Sequence, residues 1–270
     1  MTSPTFAEMM ALEPHGPDTF VGTGPRYPWG GLYGGQIVAQ GLRAAGLTVE
    51  ATYPPHSLHA YFIRPGDHDE PIRFEVDRDR NGRSFCTRRV VARQSVGVIL
   101  NMACSFQLLE DTVDVQASTM RTVTGPDDID DDSWSDLFDR HDLPTGDTGA
   151  GRSGAWLRLR EDLGDDPLVS ACALAYLSDD MPTEAVFALH PDLSHLRDLA
   201  DGSAHGRVIT ASLDHAIWFH QHPRADAWQL HDFHCERLIG SRGLARGSIF
   251  TDDGTHVADV DQQVLLRLRT

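Results

Sequence analysis

The sequence predicts an α+β protein built from two similar halves, each with one helix followed by four antiparallel strands. Two observations lead to this prediction. In each half, a helical face of small and apolar residues is followed by four strand-like runs. The same order of elements occurs on both sides of a segment rich in aspartate, serine, threonine and glycine.

The first predicted helix covers residues 34–45. Four of its residues follow the i, i+3, i+4, i+7 spacing of one helical face: Val38, Gly41, Leu42 and Ala45. The strand-like runs that follow it are 56–63, 72–80, 85–94 and 96–108. Apolar and polar residues alternate over 72–76, as expected for a half-buried strand. Asn81-Gly82 lies between two runs, where a hairpin turn is expected.

Residues 110–154 separate the halves and include the acidic run 127–132. Neighbouring like charges repel one another and stay hydrated, so we interpret this segment as a solvated linker. A calcium loop is the alternative, but an EF-hand needs a glycine at its sixth position, and Asp132-Ser133 offers none. The predicted division is therefore an N-terminal domain at 1–110, an acidic linker at 111–154 and a C-terminal domain at 155–270.

The second half repeats the order of the first. Its helical face has the same spacing and consists of Leu168, Ala171, Cys172 and Ala175. Its strand-like runs are 208–220, 227–237, 243–251 and 256–267, with Asp253-Gly254 as the last turn. Residues 181–206 have no counterpart in the first half and are expected to loop out.

A numerical coincidence also suggests duplication. Ser57 and Gln107 lie 50 positions apart, as do Ser212 and Gln262. A helix followed by an antiparallel meander buries itself best when the sheet wraps the helix, and the free sheet edge can then join a second copy. The sequence therefore predicts a double hot-dog fold, in which two helices are each wrapped by a continuous antiparallel sheet.

Composition excludes several kinds of chemistry. The 270 residues include 23 arginines, no lysine and 40 acidic residues, which gives a net charge of −17. A Schiff-base or pyridoxal-phosphate enzyme needs a lysine amine, and a P-loop needs its lysine on the phosphates. The negative charge also argues against binding to nucleic acid or to an anionic membrane, because both need a basic field.

The cysteines and the apolar segments bear on the cellular compartment. The four cysteines are isolated from one another, which indicates buried thiols of a reducing environment rather than a zinc or disulfide framework. Residues 1–16 lack the basic region and apolar run of a secretory signal. No run of about 18 apolar residues could cross a bilayer. We therefore expect a soluble, cytoplasmic protein without membrane insertion.

Six motifs, three in each half, carry a family resemblance. Those of the first half are GGLYGGQIVAQGL (30–42), SLHAYFIRPGD (57–67) and SFCTRRVVARQ (84–94). Those of the second half are AYLSD (175–179), SLDHAIWFH (212–220) and RGLARGSIFTDDGTHVADVDQQ (242–263). With these motifs in this order, the chain resembles the acyl-CoA thioesterase II family of double hot-dog hydrolases, which cleave fatty acyl-CoA thioesters.

The resemblance implies a catalytic group formed by an aspartate, a threonine or serine hydroxyl and a glutamine that together hold a water molecule. Its positions in this sequence are Asp179, Ser212 and Gln262, with Asp180 and Gln263 as alternatives if the register shifts by one. The implied substrate is an acyl-CoA, and the implied products are free CoA and a fatty acid of lipid metabolism. No metal or organic cofactor is implied.

The chemistry sets two further conditions. An aspartate has an ordinary pKa near 4, so Asp179 can act as a general base near neutral pH only if burial raises that pKa. The oxyanion needs hydrogen-bond donors, and we assign them to the backbone at the start of the first predicted helix. Gly34 and Gly35 would let a carbonyl approach closely there.

Arginine is the residue type suited to the phosphates of CoA. Six arginines lie in the matching segments: Arg64, Arg88, Arg89, Arg237, Arg242 and Arg246. Salt bridges within an acidic protein are the more ordinary fate of each. No set of CoA-binding residues is therefore predicted.

Two other functions are alternatives to the hydrolase. A non-catalytic acyl-CoA binding protein could keep this fold without turnover. An enoyl-CoA hydratase would need an aspartate and a histidine on one catalytic loop, and no such spacing is present. The exposed sheet and helix surfaces leave room for a homo-oligomer.

Three histidines bear on whether the chain holds a metal site or an acid–base pair. His220 and His222 would share a strand face, but no third ligand follows at metal spacing, so no metal site is predicted. His215 and Asp214 are neighbours on a strand and point to opposite faces, so they cannot both serve one site.

Overall fold

The structure is a computed structural model that describes residues 4–193, 208–222 and 224–269. The helices of the described residues are α1 (Phe6–Met10), α2 (Gly34–Gly46), α3 (Pro167–Leu177) and α4 (Pro182–Leu189). The strands of the first half are β1 (Glu13–Pro14), β2 (Thr19–Gly22), β3 (Pro55–Phe62), β4 (Ile72–Asn81), β5 (Phe85–Gln94) and β6 (Gly97–Gln107). Those that follow are β7 (Phe138–Asp142), β8 (Arg152–Leu159), β9 (Val208–Ser212), β10 (Asp214–Phe219), β11 (Gln229–Ile239), β12 (Arg242–Thr251) and β13 (His256–Leu268).

All of these strands belong to one sheet and pair in the order β1-β2-β4-β5-β6-β3-β10-β13-β12-β11-β8-β7, with β9 also paired to β13. Every pairing is antiparallel, and β3 and β10 join the halves through Leu58 opposite Ile217. The pairing order on one side of this junction mirrors the order on the other. The predicted α+β class and the double hot-dog sheet are therefore confirmed.

The helices lie against the sheet and against each other. α2 packs on β3, β4, β5 and β6, and its partner α3 packs on α2 and β8. α4 covers β8, β11 and β12. Gly46 of α2 and Leu168 of α3 are so close that a Cβ on Gly46 would lie 2.4 Å from Leu168 Cδ2. Gly46 is at the end of α2 and Leu168 at the beginning of α3, so the two helices run antiparallel. The beginning of α2 therefore lies beside the end of α3.

Two segments contain more secondary structure than the sequence indicated. The region predicted as an acidic linker holds a short 3-10 helix (Pro126–Asp128), strand β7 and the first residues of β8. The region predicted to loop out after Met181 begins with α4, and its later part lies outside the described residues. Apolar side chains explain both differences, because Phe138 and Phe187 are buried in the main core. The domain boundaries at 110 and 154 stay a prediction.

The run predicted as one strand at 208–220 is two strands. Ser212 of β9 pairs with Val264, whereas Ala216 of β10 pairs with Asp261. These pairings differ in register by one residue, and the shift falls at Leu213, whose N–H donates to the carbonyl of Gln263 at 2.8 Å. A one-residue shift reverses which side chains face the core.

The 50-residue spacing is not the register of the repeat. Gln107 pairs with Phe85, the first residue of β5, whereas Gln262 pairs with Ala245 in the interior of β12. The strands are duplicated, but these two glutamines are not equivalent positions.

Two further findings concern the cysteines and the lengths of the helices. All four cysteines are buried free thiols, as predicted. Within the described residues, no helix is long and apolar enough to cross a membrane.

Candidate active site

Asp179 lies immediately beyond the C-terminal end of α3. The N-cap of α3 is Asp166, whose side chain accepts the N–H of Leu168, and its C-cap is Ser178, whose N–H donates to the Leu174 carbonyl. Asp179 is therefore held in the short connection to α4, where only 7% of its surface is exposed. A carboxyl group in such a place must find hydrogen-bond partners.

Its partners include two of the residues singled out by the sequence. The hydroxyl of Ser212 donates to Asp179 Oδ1 at 3.2 Å, and the amide Nε2 of Gln262 donates to Ser212 Oγ at 2.9 Å. The three side chains come from the end of α3, the end of β9 and the middle of β13. The structure thus brings together Asp179, Ser212 and Gln262 in one hydrogen-bonded chain.

The beginning of α2 faces the same carboxylate. A Cβ built on Gly34 would lie 2.5 Å from Asp179 Oδ2, so only a glycine leaves the carboxylate its present place. The backbone N–H of Gly35 lies close enough to the Asp179 carboxylate to lower the pKa of that group. Gly34 and Gly35 belong to the first half of the chain and Asp179 to the second, so the site is built across the junction between the halves.

The electrostatics of Asp179 follow from these contacts. Burial raises the pKa of its carboxyl to about 7. Hydrogen bonds from Gln262, Ser212 and Gly35 act in the opposite direction, because they favour the charged form. Burial outweighs them, and the negative charge of Asp180 adds to the increase. The result is the raised pKa that a general base working near neutral pH requires.

His215, which is not among the site residues predicted from the sequence, extends the chain of hydrogen bonds. Its Nδ1 is bonded to Gln262 Oε1, and its Nε2 is bonded to Ser178 Oγ at 2.9 Å. Because the Gln262 NH₂ group donates to Ser212, its amide oxygen faces His215, and Nδ1 must carry the ring proton. Burial lowers the pKa of His215 to about 4, which keeps the ring neutral.

One sequence signal could have identified His215. It shares the alternation of Ile217 and Phe219, which are buried, so the pattern places a histidine on the inward face of β10. The argument that Asp214 and His215 point to opposite faces agrees with the structure, since Asp214 accepts the backbone N–H of Gln263. His215 therefore needs no help from Asp214 to reach the site.

Asp180 and Gln263, the alternatives for the catalytic aspartate and glutamine, differ in their surroundings from Asp179 and Gln262. Asp180 accepts hydrogen bonds from Trp134 at 2.8 Å and from Arg140 at 3.0 Å, so its carboxylate is already paired. Gln263 follows Gln262 on a strand, so its side chain points to the opposite face and is only half-buried.

Three of the six arginines considered for phosphate binding have side-chain partners within the protein. Arg88 is only 1% exposed and donates to Thr48 and to the side chain of Asn81, so it is a buried structural residue. Arg89 pairs with Asp77 at 2.9 Å, and Arg246 pairs with Asp261 at 3.3 Å.

A surface cavity of about 540 Å³ lies between the loop before α2 and the segment before β7. Tyr27 and Trp134 line it, and both rings contact Tyr33, the residue that precedes Gly34. Neither Asp179 nor Gln262 lines this cavity. Trp134, which lines the cavity, donates its indole N–H to Asp180, the residue next to Asp179.

Comparisons with known proteins match this chain to acyl-CoA thioesterases over most of its length. The family model of the acyl-CoA thioesterase N-terminal domain matches residues 23–107, and that of the C-terminal domain matches residues 115–266. Acyl-CoA thioesterase 2 of Haemophilus influenzae is 30% identical, with 87% of each chain covered. Acyl-coenzyme A thioesterase 8 of Homo sapiens is 30% identical over 97% of this chain and 88% of its own length.

Solved structures with similar folds include a member of the same class of thioesterase. The acyl-CoA thioesterase II TesB2 from Mycobacterium marinum superposes with a TM-score of 0.84 at 34% identity, covering 98% of both chains. A hot-dog protein from Alicyclobacillus acidocaldarius, at 19% identity and a TM-score of 0.80, shares the fold.

Proposed function

Because the chain belongs to the acyl-CoA thioesterase II family, we propose that it hydrolyses fatty acyl-CoA with Asp179 as the general base. The enzyme is an acyl-CoA thioester hydrolase, and the products of this reaction are free CoA and a fatty acid. The observation that carries the assignment of Asp179 is its hydrogen-bonded contact with Ser212, which Gln262 supports in turn.

The proposed first step is proton transfer from water to the Asp179 carboxylate. Ser212 already donates to Oδ1, so we assign the water to Oδ2, the oxygen that faces Gly34. The hydroxide oxygen forms a bond to the thioester carbonyl carbon as the proton moves to Asp179. Ser212 and Gln262 keep their charge throughout, and their role is to fix the carboxylate.

In this step a negative charge moves from the carboxylate to the carbonyl oxygen. The N-terminal end of α2 carries a partial positive charge and free N–H donors. Before the step, the Gly35 N–H supports the charge on Asp179. After the step Asp179 is neutral, so we propose that Gly34 and Gly35 support the oxyanion, which needs donors already in place.

The tetrahedral intermediate then collapses. The carbon–sulfur bond breaks, the electron pair leaves with the CoA sulfur, and protonated Asp179 returns its proton to that thiolate. A free thiol has a pKa of about 8.5, so the released CoA is protonated at neutral pH. Asp179 is again a carboxylate at the end of the cycle.

His215 has a positioning role in this proposal. An amide side chain can be turned end for end, and only one orientation presents NH₂ to Ser212. The bond between His215 Nδ1 and the amide oxygen opposes rotation of the Gln262 side chain, and with Nδ1 protonated the neutral ring accepts the Ser178 hydroxyl at Nε2. Ser178 holds the other ring nitrogen, and both residues are fully buried.

The decisive experiment is a thiol-release assay over a series of acyl-CoA chain lengths. Asp179→Asn is expected to lower kcat by about 10²–10⁴-fold, the usual contribution of a general base. Gln262→Ala should also lower kcat, whereas Gln263→Ala, its neighbour on the opposite face, should not. Acyl-CoA binding without thiol release from the unaltered protein would instead identify a non-catalytic binding protein.

Association into a homo-oligomer stays a prediction. Each chain already pairs its two halves through β3 and β10, so the proposed site is complete within one chain.

A further inference from the structure

A second group of polar side chains lies on the sheet outside the proposed catalytic site. It consists of His220, which directly follows β10, together with His256 and Asp259 of β13. Asp259 pairs with Trp218 and Ser248 and is three residues from Gln262, so its side chain points to the face opposite the catalytic one. The thioesterase reaction leaves this group unexplained.

An irregularity in the strand brings the group together. Two residues three positions apart on a regular strand point to opposite faces. The pairing of β12 with β13 shifts register here, because Ile249 pairs with Ala258 whereas Phe250 pairs with His256. Val257 is the extra residue, and its carbonyl accepts the N–H groups of His220 and Gln221 at 2.9 and 3.3 Å. This bulge turns His256 toward Asp259.

The three side chains converge on a small volume. His220 Nε2 lies 3.0 Å from Asp259 Oδ2, and His256 Nε2 lies 3.1 Å from Asp259 Oδ1. One nitrogen or oxygen atom from each residue lies within 4.8 Å of the others. Bonds of about 2.0–2.2 Å from a zinc ion to imidazole nitrogen and carboxylate oxygen can be made across such a space.

Neighbouring residues hold two of the three side chains in place. Ser248 Oγ donates to Asp259 Oδ1 at 2.7 Å, and the Phe250 ring stacks on His256 with centroids 4.9 Å apart. A backbone hydrogen bond of 2.8 Å to the side chain of Gln116 fixes the start of β13. His256 is only 9% exposed, whereas the side chain of His220 is 41% exposed. The group is therefore ordered on one side and open to solvent on the other.

We propose that His220, His256 and Asp259 form a binding site for a divalent transition metal ion such as Zn²⁺. Two imidazoles and one carboxylate are the donors that zinc accepts, and solvent can supply the fourth position on the open side. Each ring would bind through Nε2 and carry its proton on Nδ1. The sequence offered His222 as a partner of His220 and no third ligand, whereas the bulge at Val257 brings His256 and Asp259 to His220 instead.

The position of the site indicates what the metal would do. It joins the end of β10 to the beginning of β13, next to the turn from β12, and it faces away from Asp179. Binding would link these strands and stabilise the folded protein, because a ligand that binds only the native state shifts the unfolding equilibrium. It would take no part in thioester hydrolysis.

The test uses the full chain without a histidine tag, first treated with chelator and dialysed. Titration with Zn²⁺ by calorimetry should give one equivalent bound, and Co²⁺ should give the visible absorption bands of a four-coordinate site. Zn²⁺ should also raise the Tm. His220→Ala and Asp259→Asn should each weaken binding by at least tenfold, and Ser248→Ala by about 10–100-fold, as outer partners of metal ligands do.

The matched control is His222→Ala, which removes an exposed histidine two positions from His220 and outside the group. It should bind Zn²⁺ as the unaltered protein does. Because the His220 side chain is half exposed, His220→Ala should fold even if Asp259→Asn does not. Absence of one-equivalent binding, or equal affinity in His220→Ala and the unaltered protein, would overturn the proposal. Thiol release need not change in any of these variants.

Discussion

Ser212 and His215 lie three positions apart on the consecutive strands β9 and β10, yet both side chains are hydrogen-bonded to the same amide, that of Gln262. On one regular strand they would point to opposite faces of the sheet. The register shift between β9 and β10 puts both on the inward face. This break in the strand therefore assembles the hydrogen-bonded chain that ends on Asp179, and it determines how each of its members should respond to substitution.

The first prediction concerns pH. Asp179 must be a carboxylate to accept a proton, and burial raises its pKa to about 7. Activity should therefore be lost as the pH falls through about 7, with kcat/KM decreasing about tenfold per pH unit below it. Thiol release measured between pH 5 and 8, with correction for spontaneous hydrolysis, checks this. A level profile over that range would exclude Asp179 as the base.

The second prediction concerns His215. His215→Leu removes the donor to Gln262, so the amide can turn and Ser212 loses its partner. We expect kcat to fall by about tenfold, the value of one hydrogen bond, with little change in KM. Loss of hydrogen bonds to the carboxylate should raise the pKa of Asp179, so the acid limb of the pH profile should move to higher pH.

A purely structural role for His215 would leave the position of that limb unchanged. His222→Ala, at an exposed histidine, serves as the control and should keep both kcat and the profile. The double variant with Gln262→Ala should lose less than the sum of the two single losses, because the two residues act through one hydrogen bond.

The third prediction concerns the beginning of α2. A Cβ on Gly34 would lie 2.5 Å from Asp179 Oδ2 and 3.0 Å from Phe62 Cζ, so Gly34→Ala should displace the carboxylate and lower kcat by at least about tenfold. Both obstructing atoms belong to side chains that can move, so the variant should fold. At Gly31 the nearest atom to a Cβ is 3.9 Å away, and Gly31→Ala should keep full activity.

Gly35→Ala should behave differently, because its Cβ would lie 2.3 Å from the backbone carbonyl oxygen of Tyr176. The backbone of α3 cannot move aside without loss of packing. We expect a decrease of about 1–3 kcal/mol in the free energy of unfolding, as for other overpacked positions. Denaturant unfolding of the Gly34, Gly35 and Gly31 variants separates the two effects, and equal stability in all three would contradict this account.

The fourth prediction concerns His231, a fully buried side chain whose ring nitrogens have no hydrogen-bond partner among the described residues. Burial lowers the pKa of His231 to about 3. The unfolded chain binds the proton near pH 6.5, so His231 contributes stability above that pH, and this is lost as the pH falls toward 3.

The variant His231→Leu has no ring to protonate, so it lacks the His231 contribution to the loss of stability at low pH. Between pH 7 and pH 4.5 the unaltered protein should lose more unfolding free energy than the variant, by up to about 3 kcal/mol. Denaturant unfolding at the two pH values measures the difference. His222→Ala, which removes an exposed histidine, should show the slope of the unaltered protein. Parallel slopes for His231→Leu and the unaltered protein would mean that His231 is not the titrating group.

Much of the fold could be predicted because its signals are local. Helices α2 and α3 and strands β4 and β5 lie within about two residues of their predicted ranges, since alternation and helical spacing are properties of neighbouring residues. Strands β2, β7 and β8 were missed. They are flanked by polar segments, and their apolar side chains become informative only when they pack in the core.

The candidate site was predictable in part. The family resemblance selected Asp179, Ser212 and Gln262, and the structure brings their side chains together. His215 was missed because, in a strand pattern, a buried histidine looks the same whether it supports a catalytic group or only fills the core. Its hydrogen bond to Gln262 depends on which residues of β10 and β13 stand opposite each other.

The sequence by itself determined the fold class, the duplication of helix and strands, the exclusion of lysine chemistry and the family. Tertiary structure alone decided the pKa of Asp179, the orientation of Gln262 and the meeting of His220 with His256 and Asp259. Burial sets the pKa of Asp179, and two one-residue irregularities, at Leu213 and Val257, reverse the facing of the side chains beyond them. Such irregularities appear only when strands pair, because they are differences in register between two segments distant in the chain.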